Sequence, residues 1–157
     1  MVKRLLEKGW FWVLGVIVGV ALVANPALAK KRYVGSKACQ ECHEEEYNKF
    51  TKYAKKAHSY ESILKMKKDV TPEEFKGCLK CHTTGYGEPG GFKSVEETPQ
   101  LKEAGCEVCH GPGSRHCQTE DPADIKGNLS FHDCEGCHIP EMVKEFNFKP
   151  LIHGGAH

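Results

Sequence analysis

Four short stretches of this chain share one form. They are Cys39-Gln40-Glu41-Cys42-His43, Cys78-Leu79-Lys80-Cys81-His82, Cys106-Glu107-Val108-Cys109-His110 and Cys134-Glu135-Gly136-Cys137-His138. Together they take eight of the nine cysteines and leave Cys117. Two thiols two residues apart, followed at once by an imidazole, are the attachment signature of c-type haem. The thiols add across the haem vinyl groups and the histidine reaches the iron from one face. Zinc knuckles and redox dithiols also use Cys-x-x-Cys, but neither requires a histidine directly after the second cysteine. The reading is four covalently attached haem c groups, with Cys117 neither anchor nor ligand.

The N-terminus names the compartment in which such chemistry occurs. Lys3, Arg4 and Lys8 precede an uncharged, mostly apolar run from Trp10 to Ala24, and Ala27-Leu28-Ala29 has the small-x-small form of a signal-peptidase site. Cleavage after Ala29 is expected, with residues 1–29 a signal peptide. The rival is an uncleaved anchor, for which the run is short against the roughly 20 residues of a span. Either way residues 30–157 are exported, to a bacterial periplasm or beyond, where c-type haem is assembled. The membrane then enters only through an uncleaved N-terminal segment.

Residues 30–157 number 128, or 32 per haem, and only 39% of the whole chain is apolar. So little polypeptide cannot surround four macrocycles and build a separate core. The haems are the core, and the chain wraps them as one domain. Losing Lys3, Arg4, Lys8 and Glu7 with the leader leaves 19 basic and 20 acidic side chains. Ionised propionates on four haems add about −8. A net-acidic exported protein is a poor nucleic-acid binder. Lys49, Lys52, Lys55, Lys56, Lys65, Lys67 and Lys68 crowd one segment, either as a solvated helix face or as a docking patch for an acidic redox partner.

The expected fold class is mainly α, with short helices and long loops around a four-haem core. Tyr47, Phe50, Ala54, Ala57 and His58 recur at helical steps after the first motif. Glutamates open that segment and lysines close it, as the helix dipole favours. Thr71-Pro72-Glu73-Glu74 reads as a cap opening a second helix that ends near Gly77. A short helix is expected around residues 98–104. The glycine-rich Thr83–Gly91 and the segment Asp121–Asn128 read as loop and turn. No convincing strand is seen.

Five histidines lie outside the motifs: His58, His116, His132, His153 and His157. Methionines are scarce, so histidine is the expected sixth ligand and bis-histidine iron the expected state. A helix from His43 to His58 would span about 22 Å, whereas two ligands of one iron place their nitrogens about 4 Å apart. His58 must therefore serve a haem other than the first. His116 would have to wrap six residues round a macrocycle edge to join His110, so a neighbouring haem is easier. Pro150 breaks the approach to His153, which lets the chain fold back and makes His153 the choice for haem four. Haem two has His132, His157 or no sixth ligand.

The stretch YVGSKACQECHEEEYNKFTKYAKKAHSYE resembles the opening of the tetrahaem cytochrome c-554 family, and GCLKCHTTGYGEPGGF and GCEVCHGPGSRH resemble its second and third haem segments. The resemblance spans roughly residues 33 to 153. It implies a mainly helical electron carrier with closely stacked haem pairs, His58 on the third haem and His116 on the first. It also allows a five-coordinate second haem. The expected function is electron transfer between protein redox partners, without enzymatic chemistry. No Ser/His/Asp set or carboxylate pair is evident. The alternatives are a haem enzyme reducing a small nitrogen oxide at an open haem-two iron, and a subunit of an extracellular haem filament in which His157 would ligate the next copy.

Overall fold

The computed structural model describes residues 30–139. Residues 1–29, read above as a signal peptide, and His153 and His157 lie outside the described residues. Seven α-helices follow one another, and no strand occurs among the described residues: α1 (Ser36–Cys39), α2 (Glu44–Tyr53), α3 (Ser59–Leu64), α4 (Pro72–His82), α5 (Cys106–His110), α6 (His116–Thr119) and α7 (His132–Glu135). Single 3-10 turns occupy Lys55–His58, Pro99–Leu101 and Pro122–Asp124. None of these helices is long and apolar enough to cross a membrane.

Helix α2 carries Glu44, Glu45 and Glu46 in its first turn, against the positive end of the helix dipole. Its inward side chain is Phe50. The helix does not continue to His58. Ala54 turns extended, at φ −81° and ψ 122°, and is itself buried. The helical spacing of Ala54, Ala57 and His58 therefore spans a break followed by a 3-10 turn. Burial of Ala54 at the bend overrides the local pattern.

The expected cap of α4 is present. The Glu74 amide donates to Thr71 Oγ1 at 3.3 Å, the Thr71 amide donates to Glu74 Oε2 at 2.8 Å, and Pro72 opens the first turn. The helix does not stop near Gly77 but runs to His82. Beyond Gly77 it is held by Leu79, which packs with Ile63, Phe92 and Leu101 in the apolar cluster. Packing of that face outweighs the roughly 1 kcal/mol propensity deficit of an interior glycine.

The glycine-rich segment after His82 is a folded loop. Thr84 N–H donates to Leu101 O, and Phe92 N–H returns to Thr84 O, each at 2.9 Å. Gly91 crosses so close to Gly85 that a Cβ there would lie 1.7 Å from the Gly85 carbonyl oxygen, which only glycine permits. The expected helix over residues 98–104 is reduced to Pro99–Leu101. Backbone groups that a helix would have used are taken elsewhere. Ala104 N–H donates to Ser59 Oγ at 2.8 Å, and Glu103 O accepts from Thr84 Oγ1 at 2.6 Å.

Buried apolar side chains among the described residues are few: Phe50, Ala54, Ile63, Leu79, Phe92, Leu101 and Ala104. That is a small core for a described stretch of this length, in keeping with a chain whose interior is supplied by something other than side chains.

Candidate haem attachment sites

All four motifs fold as the same local object, one helical turn. The His43 amide donates to Cys39 O at 2.9 Å and the His138 amide to Cys134 O at 2.8 Å. The second motif forms the last residues of α4, and the third is the whole of α5. Residues three and four apart share a helix face, so each turn presents two thiols and one imidazole together. Among the described residues no three His, Cys, Asp or Glu side chains converge as they would around a bare metal ion, and no cysteine is in a disulfide.

The ring nitrogens are already sorted. Nδ1 of His82 lies 2.9 Å from Ser59 O, Nδ1 of His110 lies 2.7 Å from Lys126 O, and Nδ1 of His116 lies 3.0 Å from Asp121 O. A carbonyl oxygen only accepts, so each Nδ1 carries the proton and each Nε2 keeps a lone pair for iron. His132 Nδ1 is paired instead with the carboxylate of Glu135, at 2.7 Å. The His132 side chain is 85% exposed. His58 is exposed at the end of its 3-10 turn, directly before Ser59.

The rings of His43 and His116, 73 positions apart, face each other with centroids 6.2 Å apart and planes 27° apart. Two imidazoles on opposite sides of one iron need nitrogens about 4 Å apart, hence centroids about 6 Å apart. The centroid spacing therefore fits that of two imidazoles on one iron. His43 is delivered by the turn after α1, and His116 by the Gly111-Pro112-Gly113 turn after α5.

The thiols also meet in pairs. The Cys39 thiol hydrogen-bonds the sulfur of Cys106, which raises Cys39 well above the ordinary thiol value and, with Ser36, pulls Cys106 down to about 6. Burial, then a hydrogen bond with Cys81, pushes Cys137 up to about 12. Cys81 also lies 3.8 Å from Gly136 O. The first motif thus abuts the third, and the second abuts the fourth. Burial, then the Lys56 ammonium, holds His138 below its ordinary value. Cys117 is exposed.

Three contributors escape motif reading: Ser59, Glu107 and Glu135. Ser59 and Glu107 are buried. Glu107 and Glu135 both stand at the first intervening position of a motif, the one signal available in the chain itself.

Repeated thiol-and-imidazole turns beside so small an apolar core are the arrangement that a mainly helical multihaem c-type cytochrome would need. Comparison with known proteins narrows this class. Residues 38–111, which hold the first three motifs, match the family described as cytochrome c554 and c-prime. Cytochrome c-554 of Nitrosomonas europaea is 34% identical over 93 residues, covering 52% of this chain and 39% of that protein. The solved reduced state of cytochrome c554 from the same organism matches with a TM-score of 0.52 at 26% identity, over 71% of this chain and 67% of that one. The chain is similar to cytochrome c-554 over these stretches, and it spans about two fifths of the length of that curated protein.

Proposed function

We propose that the chain is an exported electron carrier holding four haem c groups, each attached through one motif. Haem c, when bound, supplies a one-electron iron couple. The chain's own residues do the rest. The eight motif thiols would anchor the haems, and His43, His82, His110 and His138 would each ligate one iron. His116 would join His43 on the first iron. His58 would serve the third haem, His132 the second and His153 the fourth.

The observation that carries this reading is the approach of the His43 and His116 rings, brought together from distant parts of the chain. The carbonyl acceptors at Ser59, Lys126 and Asp121 support it, because they hold three imidazoles in the tautomer a metal needs. Full ligation leaves no iron position for a substrate, which is what a carrier requires and an enzyme does not. The thiol contacts support pairing of haem one with haem three and of haem two with haem four.

Intact mass of the exported protein tests the proposal. A chain starting near Lys30 plus four haems is expected, with a pyridine haemochrome spectrum of c type. A mass equal to bare polypeptide plus zinc would overturn it.

A further inference from the structure

Glu107 is spelled as a spacer within the third motif, yet its side chain is only 2% exposed. Its carboxylate accepts four hydrogen bonds from three backbone amides. Gly113 N–H donates to Oε1 at 2.7 Å, Gly35 N–H to Oε2 at 2.7 Å, and Val34 N–H to both oxygens at 3.0 Å. Burying a carboxylate costs several kcal/mol unless its lone pairs are satisfied, and charge-assisted bonds to amides are the strong kind that offset it.

An apolar residue would have sufficed for packing alone. The second motif shows this, since Leu79 fills the equivalent slot and is buried in the apolar cluster. In the fourth motif Glu135 is at that slot but lies outward against His132. Only the third motif spends a buried carboxylate there.

Each amide that Glu107 holds leads to the first haem site. Gly35 is the N-cap of α1, the helix that carries Cys39. The Gly113 peptide is held on both sides, its N–H on Glu107 and its carbonyl accepting from Cys117 N–H at 2.9 Å. Helix α6 therefore springs from that peptide, with His116 as its first residue. The Asp121 carbonyl orients the His116 ring, whereas Glu107 determines where the backbone beneath it sits. The fit is close, because a Cβ at Gly113 would lie 3.3 Å from Glu107 Oε1.

We infer that Glu107 is a positioning residue: from within the third motif it seats His116 opposite His43 and so determines the ligation of haem one. This rests on His116 being the axial ligand proposed above.

The test uses the holoprotein and reads spin state, haem count and response to free imidazole. His116→Ala alone should turn one low-spin haem high-spin. Glu107→Gln keeps the shape but leaves one acceptor oxygen for three amides and adds a donor facing them. It should retain every haem by mass, show a fraction of the same high-spin signal, bind carbon monoxide there when reduced, and return to low-spin on adding imidazole. The double variant should be no more high-spin than His116→Ala, since two residues acting on one outcome are not additive. If Glu107→Gln cannot be recovered with haem, Glu107→Asp carries the test: its shorter carboxylate should give an intermediate high-spin fraction. Low-spin haem throughout in Glu107→Gln or Glu107→Asp, while His116→Ala is high-spin, overturns the inference. So does loss of haems from both Glu107→Gln and Glu107→Asp, or a high-spin signal that imidazole does not reverse, because either marks a merely structural role. No high-spin signal in His116→Ala would instead remove the ligation reading beneath it.

Discussion

The Nδ1–H of His82 donates to the backbone carbonyl of Ser59, 2.9 Å away, and Ser59 Oγ donates back to His82 O at 2.8 Å. Ser59 directly follows His58. A histidine of the second attachment turn is thus fastened to the segment that presents a histidine without a motif, and the same hydroxyl accepts the Ala104 amide on the approach to the third motif. One buried serine thus joins the segment of His58, the second motif and the approach to the third.

Ser59→Ala should therefore destabilise the holoprotein by about 1–3 kcal/mol, because it leaves the buried Ala104 amide without its acceptor. The carbonyl that orients His82 survives the change, so the haem spectrum should stay as it was. Denaturant unfolding and the visible spectrum check the two halves, and an unchanged midpoint would show that the hydroxyl carries no stability.

The ligand assignments for His58 and His132 make separate spectroscopic expectations. Each alanine variant should convert one low-spin haem to high-spin in the oxidised state and open one site to carbon monoxide in the reduced state. The parent protein should bind carbon monoxide slowly or not at all. Rapid binding by one haem of the parent would remove His132 as a ligand and bring the enzymatic reading forward.

Two glycines should respond in opposite directions. Gly77 is an exposed interior residue of α4, and a Cβ there meets nothing within 4 Å. Gly77→Ala should stabilise by about 0.5–1 kcal/mol. Gly91→Ala drives its methyl into the Gly85 carbonyl and should destabilise by more than ~2 kcal/mol. Paired thermal melts decide this, and a tolerated Gly91→Ala would show that the loop does not fold as described.

The fourth motif has an acid-sensitive support. The Lys126 ammonium, then the Ser130 amide, hold the Asp133 carboxyl down at about 2, with the Ser130 N–H 2.7 Å from Oδ2. A carboxyl depressed in the folded state adds stability above its unfolded value, near 3.8, and loses it as pH falls through the folded one. Asp133→Asn should remove part of the stability loss between about pH 4 and 2, measured as the unfolding midpoint against pH. A pH profile identical to the parent's would dismiss the contribution.

The attachment chemistry proposed for this protein is written in local sequence. A Cys-x-x-Cys-His unit needs only one helical turn to present its three groups, so each motif could be read without knowing what lies beside it. The capping box at Thr71 and Glu74 was legible for the same reason, being closed within four residues. Helix lengths were less so: α2 stopped at Tyr53 and α4 ran through Gly77 because buried Ala54 and Leu79 answered to neighbours, not to local pattern. Nothing local says that His116 faces His43, that Cys39 touches Cys106, or that Glu107 is buried while Glu135, at the same slot, is not. Those relationships join residues tens of positions apart. They are decided only when the chain closes on itself, because a hydrogen bond between distant amides and carboxylates, or a pair of facing imidazoles, has no energy until tertiary packing brings the partners within a few ångströms.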